Sequence, residues 1–65
     1  MKALCIKSLY KSTYKNNAFS NGKLYEIIKS DDEFVYIKDN EGCDFNFSKD
    51  QSDHYYNFDK YFTKA

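Results

Sequence analysis

The residues of this chain that could do chemistry are few: Cys5, Cys43 and His54, with Asp53 and Asp59 as the carboxylates a nucleophile or a metal ion would need. A structural zinc site takes four ligands, mostly Cys and His in closely spaced pairs. The two cysteines are separated by 37 residues and form no CxxC or CxxH pair, so a fourth ligand would have to be an aspartate. Nucleophilic catalysis would pair Cys5 or Cys43 with His54 and a carboxylate, yet nothing local marks either thiol as activated. Gly22 and Gly42 are the only glycines, too few for a phosphate-cradling loop. Asp39-Asn40-Glu41-Gly42 is no calcium loop, because Gly42 at loop position six would put Ile37 at the first ligand position. A chain of 65 residues is also expected to be too small to enclose a pocket of about 300 Å³ and still hold a core. The reading is therefore non-enzymatic, with no catalytic residue, metal or cofactor expected, and both cysteines as reduced, semi-buried thiols.

What remains is chemistry of binding. Thirteen aromatics, seven Tyr and six Phe, exceed what one small core absorbs when Leu4, Ile6, Leu24, Ile27, Val35 and Ile37 already claim interior places. Some tyrosines must face water, where a rigid apolar ring with a satisfied hydroxyl suits a protein interface. Tyr10 and Tyr14, with Tyr55 and Tyr56, are the candidates, expected on one side of the domain. The acidic run Asp31-Asp32-Glu33 reads most simply as a solvated turn and, more sharply, as part of an interaction patch with Phe34 and Tyr36. The candidate partner-binding set is thus Tyr10, Tyr14, Asp31, Asp32, Phe34, Tyr36, Tyr55 and Tyr56.

Charge narrows the partner. Ten lysines balance seven aspartates and three glutamates, so the net charge is zero and there is no bulk attraction to nucleic acid or anionic lipid. Lys7, Lys11, Lys15 and Lys23 form the stretch least diluted by acids, which keeps a barrel that stacks single-stranded nucleic acid on tyrosines as the alternative. No apolar run approaches the roughly 18 residues that span a bilayer, and no signal-peptide core opens the chain, so a cytoplasmic location is expected. Lys, Asn, Tyr, Phe and Ile supply 33 of the 65 residues while Arg, Pro and Trp are absent. Those five types have A- and T-rich codons, which points to an AT-rich bacterial or phage genome.

These groups need a scaffold, and its clearest piece is a hairpin from Glu33 to Ser48. Phe34-Val35-Tyr36-Ile37-Lys38 and Cys43-Asp44-Phe45-Asn46-Phe47 flank a type I turn whose Gly42 takes the left-handed position of a G1 bulge. That loop sets Lys38 opposite Asp44, Ile37 opposite Phe45 and Val35 opposite Phe47, giving one apolar face with Phe34 and Tyr36 on the other. Asn21-Gly22 marks a second turn, followed by a strand over Lys23–Lys29. Tyr25 and Ile27 share one face and Leu24 and Ile28 the other, as expected of a strand between two packed layers. Ala3-Leu4-Cys5-Ile6 reads as a short first strand, and Ser8 to Phe19 as a long polar loop. Ser48 to Asp53 reads as a turn or a single helical turn. Tyr55, Phe58 and Phe62 lie at helical spacing, but aromatic enrichment favours a strand from about Tyr56 to Phe62.

The order of short strand, long loop, turn, strand, acidic turn, hairpin and final strand resembles an SH3-like barrel. Ala3-Leu4 opens the first strand, Phe19-Ser20-Asn21-Gly22-Lys23 resembles the diverging turn, and Ser30-Asp31-Asp32 the acidic loop before the central hairpin. The resemblance implies a single all-β domain over residues 1–65, a small five-stranded SH3-like barrel with room for one short helical turn near the C-terminal third. The chain departs from eukaryotic SH3 domains: Phe34 or Val35 stands near the groove Trp position, Cys5 and Ile6 occupy the first-strand region, and no Pro is present. In size, and in pairing Phe-x-x-Gly-Lys-x-Tyr with a Gly hairpin, it resembles the small SH3-like proteins of bacteriophages. That likeness implies a module that binds a host protein and inhibits or redirects it. A homo-oligomer joined through exposed strand edges is a further alternative.

Overall fold

The computed structural model describes residues 1–13, 15–50, 52 and 55–65. In chain order the elements are β1 (Lys2–Cys5), β2 (Leu9–Lys11), β3 (Asn16–Phe19), β4 (Leu24–Ser30), β5 (Phe34–Lys38), β6 (Asp44–Ser48), α1 (Phe58–Tyr61) and β7 (Phe62–Lys64). β6, β5, β4, β1 and β7 form, in that order, one five-stranded antiparallel sheet, and β2 pairs with β3 beside it. The fold is all-β with one short helix, a small barrel-like arrangement.

The β5–β6 hairpin has the expected register: Lys38 pairs with Asp44, Ile37 with Phe45 and Val35 with Phe47. Its turn is held by Asp39, whose Oδ1 accepts the backbone N–H groups of Glu41 and Cys43, both at 2.9 Å. Gly42 closes it at φ +82°, a conformation that costs a side chain with a Cβ. A bulge between Ile27 and Lys29 interrupts the β4–β5 ladder, and bulges increase twist. The resulting curl is visible in the core. Phe47 of β6 and Phe62 of β7 lie on the two edge strands, which a flat sheet would hold about 19 Å apart at four strand spacings. Their ring centroids are 5.0 Å apart.

The interior is more aromatic than expected. Phe19, Phe47 and Phe62 are fully buried, joined by Tyr25, Phe58, Tyr61, Ile27, Val35 and Ile37. Phe19 sits at the centre, edge-on to Tyr25, Phe45, Phe47 and Phe62 at 4.9 to 5.6 Å. Ile6 and Leu24, expected inside, are instead exposed, and Leu4 is only half-buried. The reason is register: Leu4 pairs with Leu24 on the outer face of the sheet, while Ala3 and Tyr25 turn inward beside them. Leu24 and Ile28 are both exposed, so among the described residues no second layer covers that face of β4. Cys43 is also exposed, because β6 begins one residue after it; Cys5 is buried as expected.

Two segments differ from the sequence reading. The span from Ser8 to Phe19 is not a loop but the β2–β3 hairpin, anchored by Phe19 and Ala18 in the core and by Leu9 against it. The last part is not a strand from Tyr56 to Phe62. Asn57 pairs with Ser48 in a single parallel bridge and accepts the Asp59 N–H on its Oδ1 at 3.0 Å, a cap that starts α1. The strand follows only at Phe62–Lys64.

Candidate interaction surfaces

The candidate residues fall on separate surfaces. Asp31 and Asp32 occupy the β4–β5 turn, and Phe34 and Tyr36 lie half-buried on the outer face of β5, opposite the core as expected. Asp31 is first a turn residue. Its Oδ1 accepts the N–H of Phe34 at 2.7 Å and of Glu33 at 2.9 Å, and these bonds hold its carboxyl below the usual aspartate range. Tyr36 lies between charges, with the Lys29 ammonium 5.4 Å from its ring centroid and its hydroxyl 3.5 Å from Asp31 Oδ2. Beside this turn a shallow cleft of about 380 Å³ is lined by Asp32, Glu33, Phe34, Ser48, Lys49 and Asp50. Elsewhere on the outer face, beside Leu4 and Leu24, opposite charges occupy facing register positions: Lys2 opposite Glu26, Glu26 opposite Lys38 by the Ile27–Ile37 register, and Lys38 opposite Asp44.

A second surface gathers rings and lysines. Phe45, half-buried at the sheet edge, packs edge-on against Tyr56 at 5.3 Å and carries the Lys11 ammonium at 5.4 Å from its centroid. Tyr55 is 80% exposed and Tyr56 is 48% exposed, so this ledge presents aromatic area to solvent. Beneath it the ring contacts run inward through the buried Phe47 to the buried Tyr61, near whose ring the Lys7 and Lys60 ammonium groups both lie at 5.7 Å. Tyr10 does not join it. Leu9 and Lys11 face inward along β2, so the alternation turns Tyr10, 62% exposed, the other way. Tyr14 lies outside the described residues.

The third surface was not foreseen. A half-open groove of about 630 Å³ has a floor of Ile27, Val35, Phe58 and Phe62 and a rim that includes Ser30, Lys49, Asp59, Thr63 and Lys64. A chain this short therefore does carry a sizeable concavity, at the gap the open sheet leaves beside β7. Its signal in the sequence would have been a last strand too short to close the barrel.

Among the described residues no three His, Cys, Asp or Glu side chains gather as a metal cluster. The Cys5 thiol is pushed up by burial and donates to the Lys7 carbonyl at 3.1 Å, a geometry of packing. No helix among the described residues is long and apolar enough to cross a membrane. Comparison with protein-family models, with curated proteins and with solved structures gives no match to this chain.

Proposed function

We propose that the chain is a non-enzymatic protein-binding module, a phage or prophage protein that binds a host protein in the bacterial cytoplasm and inhibits or redirects it. The observation that carries this reading is the ledge of Tyr55, Tyr56 and Phe45: two successive exposed tyrosines, of which Tyr56 is braced edge-on against a half-buried ring that packs on the core. A braced ring loses little conformational freedom when a partner covers it, which is what makes tyrosine effective at interfaces. The resemblance to small SH3-like proteins of bacteriophages and the AT-rich codon signature support the setting.

The test is affinity capture from a bacterial lysate with the tagged chain, with and without nuclease, followed by mass spectrometry. One protein retained at near-equal stoichiometry in both conditions is expected, and Tyr55→Ala with Tyr56→Ala should abolish its retention while circular dichroism stays unchanged. Retention unaffected by the double substitution removes the ledge from the interface.

A second reading rests on lysines set near rings: Lys11 over Phe45 on the ledge, and Lys7 and Lys60 beside the buried Tyr61. Rings with ammonium groups beside them also suit single-stranded nucleic acid. That reading requires retained material to vanish with nuclease and affinity for an oligonucleotide to fall steeply between about 50 and 200 mM salt.

A further inference from the structure

The groove beside β7 has a feature that an ordinary surface cleft lacks. Phe62, Thr63 and Lys64 all line it. Side chains of consecutive strand residues point to opposite faces, so a cleft lined by three in a row borders the strand's edge and not one of its faces. The ladder identifies that edge as the one facing away from β1. Ile6 N–H donates to Tyr61 C=O at 2.8 Å and Ala65 N–H to Lys2 C=O at 3.2 Å. In an antiparallel pair these bonded positions alternate, so the backbone groups of Phe62 and Lys64 point outward. The Phe62 N–H turns back to Phe58 C=O at the end of α1. The Phe62 carbonyl and both backbone groups of Lys64 are left facing the groove. On its rim, the Lys49 and Lys64 ammonium groups have no carboxylate within ion-pair distance among the described residues, and Asp59 is the carboxylate that lines the same groove.

Main-chain groups and two cations without partners among the described residues, with an apolar floor between them, define a ligand. We propose that this groove accepts an extended acidic peptide segment of a partner protein, which adds to β7 as a sixth strand of the sheet. Strand addition draws affinity from the main-chain bonds and specificity from alternate side chains. Residues of one parity enter the floor formed by Ile27, Val35, Phe58 and Phe62, and those of the other meet Lys49 and Lys64. The partner class rests on the protein-binding reading above, but the surface is separate from the tyrosine ledge.

The probe is a short acetylated and amidated peptide of alternating glutamate and valine, titrated into the ¹⁵N-labelled chain. Shift changes are expected at residues 62–64, Ser30 and Lys49, with the Lys64 amide exchanging about tenfold more slowly at saturation. Lys49→Glu with Lys64→Glu should weaken binding by about tenfold, and a lysine–valine peptide should then bind in its place. The same peptide N-methylated along its pairing edge should not bind, and Tyr55→Ala with Tyr56→Ala should bind it unchanged, which separates this site from the ledge. Equal binding of the N-methylated peptide, or shifts confined to other surfaces, overturns the proposal. So does occupation of the groove by decanoate but not by the peptide, which makes it a site for a small amphiphile. Slowing of Lys64 exchange with protein concentration alone overturns it in favour of a second copy.

Discussion

At the scale of single residues, Asp31 shows how a side chain that looks like part of a binding patch is first committed to the backbone. Its carboxylate accepts two N–H groups of its own turn, and these bonds lower its pKa. The consequence for stability has a definite sign. A folded-state pKa below the unfolded value of about 3.9 gives stabilisation that is present above that pH and lost as pH falls through the folded value. Asp50, lowered by the Ser52 N–H, acts in the same direction. Asp31→Asn should therefore lower the urea midpoint at pH 7, and the gap from the parent should shrink below pH about 4. A gap that stays constant with pH would show that the charge plays no part. The turn itself was legible in Ser30-Asp31-Asp32, because Asp before a strand bonds the backbone ahead of it. The Lys29–Tyr36 contact was not, since it depends on a bulge that shifts the β4 register by one residue. Tyr10, Tyr55 and Tyr56 are exposed as expected from their polar segments, although the core takes in more rings than the aromatic surplus implied, because Ile6 and Leu24 face water.

At the scale of elements, the chain was readable where local chemistry decides and unreadable where a distant contact does. The β5–β6 hairpin is local: Asp39 and Gly42 fix the turn, and the turn fixes every pair beyond it. The β2–β3 hairpin is not, for Asn16 and Asn17 carry no apolar signal and only Leu9, Ala18 and Phe19 reach the core. Its attachment comes from Asn40, far along the chain. The Asn40 N–H donates to Ala18 C=O at 2.8 Å, and its Nδ2 donates to Asn17 C=O at 3.0 Å and Ser20 Oγ at 3.2 Å. Its Oδ1 accepts from the Tyr25 hydroxyl and from Lys23 Nζ. Asn40→Ala removes the side-chain bonds, leaves the buried Tyr25 hydroxyl without that acceptor, and should cost about 1–3 kcal/mol. Hydrogen exchange should locate the loss: amides of β3 quicken more than those of β6. Equal changes in both would mean that Asn40 is not the tie. The same division explains α1, whose start depends on Asn57 meeting Ser48 and Asp50 across the chain.

At the scale of the whole molecule, one ring organises the interior. Phe19 comes from the segment that looked least structured, yet it touches four other rings. Phe19→Ala should cost about 3–5 kcal/mol, enough to unfold a domain of this size, with loss of the cooperative transition in urea. Leu24→Ala, on the outer face, should move stability by no more than about 0.5 kcal/mol and serves as the control. A folded Phe19 variant would place the centre of the core elsewhere. The crowding around Phe19 also makes it a clock. A phenyl ring in a close-packed interior turns over only when its neighbours withdraw together, and here those neighbours come from β4, β6 and β7 at once. The rate at which its two edges interchange in a proton spectrum therefore times the breathing of the entire sheet.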